Sequence, residues 1–174
     1  MLQKKVTMED DFYIALHEVG HVFFAYLFGR YANTIVFTPD SLRSEARANL
    51  SITATSRSRI ALGGFAIEYL LFKAGNIIDS TGAVITESAF VQQAMKHASG
   101  DKQQFFKGDF MEPDGTWPAE MDTLFMKEAI KLADRLHPNF WPRVVALAET
   151  LIAQRQVDQD EIELILEPEL LPSW

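Results

Sequence analysis

Two histidines four residues apart, His17 and His21, with a carboxylate, Glu18, directly after the first, form the stretch HEVGH. On a helix, residues four apart share a face, so both imidazoles can turn a ring nitrogen toward one cation. This is the ligand spacing of HExxH zinc sites. Glu18 is placed to take a proton from a water held on that cation, as a general base. Zinc lowers the pKa of such a water from nearly 16 to about 7, which supplies hydroxide at neutral pH. The reaction class implied is metal-assisted hydrolysis of a carbonyl, most naturally a peptide bond.

The motif sits in an odd place. It interrupts the apolar run FYIALHEVGHVFFAYLF, a helix that should lie in the centre of the domain because it is apolar on nearly every face. Burying His, Glu and His unsatisfied would cost several kcal/mol, and metal coordination explains all three at once. Gly20 inside the motif lets another element or a substrate approach closely. Two histidines leave zinc short of a ligand, and with no cysteine in the chain the third must be a carboxylate or another histidine. Glu68, Asp79, Glu87 and Asp101 all qualify on residue type, and composition does not choose among them.

The positioning elements follow from the hydrophobic pattern. The motif helix is expected over about 8–28, with Thr7 as N-cap, acidic residues in its first turn and Gly29 as its C′ residue. Two β-prone pieces, TIVFT (34–38) and LSITAT (50–55), read as a hairpin or two edge strands. A second apolar helix is expected over about 58–72; its Gly63-Gly64 pair costs about 1 kcal/mol per Gly against Ala, so a close-packing reason is expected there. A turn at 75–82, a helix at 86–98, a helix opened by Asp101, a loop at 107–118 and three helices between about 119 and 167 complete the chain. The fold class is mainly α (α+β): one helical domain over 1–174 with a small β hairpin or short sheet and a C-terminal helical bundle.

Composition excludes several functions. A net charge of −8 argues against a nucleic-acid partner, because phosphate binding needs clustered cations. The one basic cluster, Arg43, Arg47, Arg57 and Arg59, reads as a solvated face. No membrane span is expected: the apolar run carries His, Glu and His, and no second long apolar segment follows. The absence of cysteine suits a cytoplasmic protein, and MLQKKVTMEDD reads neither as a signal peptide nor as a transit peptide. His97 reads first as a surface or capping residue and second as one facing the same cavity as Asp101, His137 as a helix-end cation, and Trp117 and Trp141 as core or interface material.

Beyond the motif, HEVGHVFFAYLFG is followed by the strand TIVFT, then by IALGGFAIEYLLF and, at the C-terminus, by VVALAETLIAQRQVDQDEIELIL. This order resembles the M41 peptidase domain of FtsH-type ATP-dependent zinc metalloproteases, and the matches cover about two-thirds of the chain. The resemblance implies a zincin-like helical domain, Zn2+ as cofactor and a peptide or unfolded protein as substrate. It places His17, His21 and Asp101, in ASGDKQQFF, as metal ligands and Glu18 as general base. An alternative alignment through STGAVITE brings Thr86 or Glu87 near the third position. With Asp101 as ligand, Glu68 becomes a residue that orients a ligand histidine. The family's ATPase motor has no counterpart here, since no GxxxxGKS/T stretch is present. The expected substrates are then peptides, unfolded segments or loops, with a homo-oligomer or a separate ATPase partner as the way to larger ones.

Two other readings compete. One is a metal-binding regulatory or interaction module of the same fold with little proteolysis; the intact Glu18 counts against it, since structural zinc sites close with a fourth protein ligand. The other is a regulatory metalloprotease of the phage-repressor type, for which SEARAN supplies Glu45 as third ligand beside Asn49.

Overall fold

The computed structural model describes residues 4–40, 44–108, 110–136 and 138–168. Arg43 and His137 lie outside the described residues. The apolar run forms α1 (Asp11–Leu27), which buries most of its residues, including Leu16, Val19, Phe23 and Phe24. Its start differs from the expectation. Asp10, rather than Thr7, is the N-cap, because the Asp10 carboxylate accepts the Thr7 N–H at 2.6 Å and so closes a turn ahead of the helix. Gly29 follows the C-cap Phe28 with φ +67°, the left-handed conformation that releases the chain into a strand.

Strand β1 (Tyr31–Thr38) pairs antiparallel with β2 (Glu45–Ser51) on one side and with β3 (Gln156–Asp158) on the other. The sheet order β2-β1-β3 leaves β2 as an edge. The strand expected over 50–55 is thus corrected to 45–51, and α2 (Ala54–Ile60) takes up the residues after it. EARANLS looks polar, but an edge strand needs one modestly apolar face, and Ala46, Ala48 and Leu50 supply it by packing on the core while Glu45, Arg47 and Asn49 face out.

The helix expected over 58–72 is two helices, α2 and α3 (Gly63–Lys73), with a turn at Ala61 and Leu62 between them. Backbone contact with α1 explains the glycines. A Cβ on Gly20 would lie 2.5 Å from the Gly63 carbonyl oxygen, and one on Gly63 would lie 2.6 Å from that of Gly20. Helices α1 and α3 therefore cross with their main chains touching.

The remaining helices are α4 (Glu87–His97), α5 (Ser99–Phe106), α6 (Ala119–Ala133), α7 (Trp141–Gln154) and α8 (Gln159–Leu166). Thr86 caps α4 by accepting the Ala89 N–H, and Asp158 caps α8 by accepting that of Glu161. The mainly helical α+β class read from the sequence is the one observed, and α7 and α8 pack on α1 and β1 in one hydrophobic cluster with α3, α4 and α6. Among the described residues, no helix is long and apolar enough to cross a membrane.

Candidate metal centre

Three elements bring the site together. His17 and His21 project from adjacent turns of α1, and Asp101 comes from the first turn of α5. The two Nε2 atoms are 3.2 Å apart. Asp101 sets Oδ2 at 3.1 Å from Nε2 of His17 and Oδ1 at 3.2 Å from Nε2 of His21. One ligand atom from each of the three residues lies within 4.8 Å of the others.

The tautomers follow from the outer partners. His21 Nδ1 is 2.9 Å from the carbonyl oxygen of Ile60, which can only accept, so Nδ1 carries the proton. His17 Nδ1 likewise donates to Oε1 of Glu68 at 2.9 Å. In their neutral forms both histidines therefore point a lone pair from Nε2 at the same space, where the Asp101 carboxylate adds oxygen lone pairs. Asp101 Oδ2 is buried without a hydrogen-bond partner although it lies against the His17 ring. Two imidazole nitrogens and a carboxylate, all electron-pair donors around one point, form a donor set that fits a divalent cation.

Protons fill the same role when no cation does. Burial opposes a charge on His17, but Glu68 and then Asp101 outweigh it and hold its pKa well above the usual histidine value. Burial also opposes a charge on His21, and Asp101 outweighs it, so that pKa is raised too. For Asp101, burial favours the neutral acid, yet His21 and His17 hold the carboxyl well below the usual range.

Gly64 makes room for this arrangement. A Cβ there would meet the His17 ring at 2.5 Å, so the second glycine of the pair serves the imidazole while Gly63 serves the helix crossing. Glu18 lines the cleft beside them, and its Oε2 accepts the N–H of Ala48 on β2 at 3.1 Å. Strand β2, at the edge of the sheet, thus lies against the cleft that holds His17, His21 and Asp101.

The other carboxylates weighed from the sequence lie elsewhere. Asp79 is exposed and spends its carboxylate on Thr81 and on the Ala83 N–H, which pulls its pKa down. Glu87 is exposed in the first turn of α4. Glu45 lines the cleft but pairs with Arg47 on the outer face of β2, and it is not in the cluster of potential ligands. Glu68 is 2 % exposed and contacts His17 rather than the space between the ring nitrogens. His97 is half-buried and lines the cleft with Glu18 and Asp101, the second of its two expected placements, because α4 and α5 meet end to end at Ala98.

Two residues have no role in the sequence reading. Tyr13, one turn before His17, lines the cleft with its hydroxyl buried; burial, then Glu68, push its pKa well above the usual value. Its spacing of four from His17 was a usable signal. Lys102, next to Asp101, is buried and paired with Asp122 of α6 at 2.5 Å. It also lies over the ring of Trp117, whose Nε1 donates to Ser99 Oγ at 3.1 Å. Nothing in a short polar helix marks its lysine as a buried one.

In comparisons with known proteins, no family model and no curated protein matches the chain.

Proposed function

We propose that this chain is a zinc-dependent metallopeptidase resembling the M41 peptidase domain. The observation that supports the reading most directly is the convergence of Nε2 of His17, Nε2 of His21 and the Asp101 carboxylate, with both Nδ1 atoms engaged outward and Glu18 beside them.

His17, His21 and Asp101 would hold the cation, and Glu68 fixes the plane and tautomer of His17 as the Ile60 carbonyl does for His21. A bound Zn2+ supplies Lewis-acid polarisation of a carbonyl and makes a water acidic enough to ionise near neutrality. Glu18 takes the proton from the attacking water and passes it to the leaving amine, so its carboxylate must face both the water and the scissile bond. The Ala48 N–H holds that carboxylate on the β2 side of the cleft. The edge of β2 binds the peptide main chain by strand addition, which fixes the scissile carbonyl against the site without reading its sequence.

The test is metal content and turnover on one preparation. Zinc at one equivalent per chain, with cleavage of unfolded casein that disappears in Glu18→Gln while zinc stays bound, supports the reading. Stoichiometric zinc with no cleavage of casein or of a peptide library refutes it in favour of a metal-bearing binding module.

A further inference from the structure

The cleft runs past the cluster of His17, His21 and Asp101 in two arms, and Glu18 and Asp101 line both. One arm, about 450 Å³, runs toward the start of β2 and is lined by Glu18, Glu45 and Glu68 with Arg47 and His97. The other, about 380 Å³, follows the far half of β2 past Asn49 and Leu50 to Arg57 on α2 and Gln104 on α5. Arg57 and Gln104 also form a wall of the next cavity, about 550 Å³, with Ser58, Gln103 and Lys107. The two cavities therefore lie side by side and share Arg57 and Gln104.

The chemistry of this far cavity is one-sided. In a chain of net charge −8, its charged lining groups are two cations, and the polar remainder, a hydroxyl and two amides, can all donate hydrogen bonds. Among the described residues no carboxylate lines it, and neither Arg57 nor Lys107 has an ion-pair partner. The main chain at Lys107 is set by the helix end: it closes α5 in the left-handed conformation at φ 59°, where the Gly108 N–H returns to the Gln103 carbonyl at 2.9 Å. Two cations, Arg57 on α2 and Lys107 at the end of α5, line one cavity, and Arg57 also lines the neighbouring arm with Glu18 and Asp101; together they complement an anion carried on an extended chain that lies along β2.

We propose that Arg57 and Lys107 form a specificity subsite that takes the carboxylate of an Asp or Glu side chain on one side of the scissile bond. The proposal rests on the peptidase reading and adds a substrate class to it, namely peptides with an acidic residue on that side and none on the other, where the Glu-lined arm repels them. Arg57, read from sequence as part of a solvated basic face, is then a substrate contact.

The test uses the zinc-loaded full chain and peptides that differ at single positions among Glu, Gln and Lys, all with amidated C-termini so that a terminal carboxylate cannot supply the anion. The expected result is a one-sided preference for Glu over Gln of about three- to tenfold in kcat/KM, the size of one or two partly exposed ion pairs, shrinking as salt is raised. The double variant Arg57→Glu, Lys107→Glu, both residues being exposed, should keep its zinc and turn the preference toward Lys. Binding of the same labelled peptides to Glu18→Gln gives a readout without turnover. Equal treatment of Glu, Gln and Lys peptides in cleavage and in binding overturns the subsite, as does an unchanged preference in the double variant. Glu-selective binding without any cleavage by the parent chain leaves the subsite standing and overturns the peptidase reading.

Discussion

The carboxylate of Glu68, from the middle of α3, receives the Nδ1 proton of His17 from α1 at 2.9 Å, in a place where Glu68 is 2 % exposed. An uncompensated buried carboxylate costs several kcal/mol, and the histidine beside it is the group that offsets this cost. The pair also decides which ring nitrogen of His17 faces Asp101. Replacing Glu68 by Ala frees the ring to rotate and to change tautomer, so zinc affinity should fall about 10- to 100-fold. Glu68→Gln keeps an acceptor for Nδ1 and should lose less. Competition against a chelating dye measures both; equal affinity in all three proteins would show that Glu68 does not orient the ligand.

The two glycines of α3 should fail in different ways when substituted. Gly63→Ala drives a methyl into the Gly20 carbonyl, and backbone cannot step aside cheaply, so a loss on the order of 1–3 kcal/mol in denaturant unfolding is expected. Gly64→Ala instead meets the His17 ring at 2.5 Å, and the ring must leave its position between Glu68 and Asp101. Its main effect should be on zinc affinity. The contrast fails if Gly64→Ala unfolds as readily as Gly63→Ala while binding zinc as tightly as the parent chain.

These glycines also mark how far the sequence could be read. The run that became α1 and the GG pair in α3 were legible because a buried polar motif and two helix-breaking residues each need a tertiary reason. The strand β2 was read too late in the chain, since EARANLS hides its apolar face in two alanines and a leucine. Three-residue β3 has no periodicity to read; it exists because Val157 is buried opposite Ile35. Among the carboxylates, Asp79 could have been set aside from sequence, because an Asp two residues before a Thr in a Gly turn closes a local hydrogen-bonded loop. That Asp101 reaches the histidines depends on how α4 and α5 meet, a tertiary angle that residue types do not encode.

On the proposed metal reading, protons and the cation would compete for one space, which gives the pH behaviour a definite sign. His17 and His21 have folded pKa values above the ordinary 6.5, so without metal their contribution to stability is fully present below pH 6.5 and lost as pH rises through the raised values. Asp101 has a depressed pKa, so its contribution is present above the ordinary 3.8 and lost as pH falls through the lowered value. In chelator, urea midpoints should therefore be highest between these limits and decline on the alkaline side. With saturating zinc the alkaline decline should vanish, because deprotonated imidazoles bind the cation. A midpoint in chelator that rises from pH 6 to pH 9 would contradict the coupling.

Lys102 and Asp122 tie the helix that carries Asp101 to α6, and the tie is asymmetric. The Lys102 side chain is 3 % exposed, whereas that of Asp122 is 32 % exposed. Asp122→Ala leaves a buried ammonium with no counter-charge, a loss on the order of 3 kcal/mol. Lys102→Met removes the charge and leaves the carboxylate to water, while a chain of similar length still covers Trp117. Stability should then be nearly regained, and the double variant should resemble Lys102→Met alone. Zinc affinity separates packing from placement: with α5 held by charge, Lys102→Met should fold well yet bind zinc more weakly, since an apolar contact fixes no direction for Asp101. Parent-like zinc affinity in Lys102→Met would show that the apolar packing of α5, through Phe106 against Trp117, suffices to place the carboxylate.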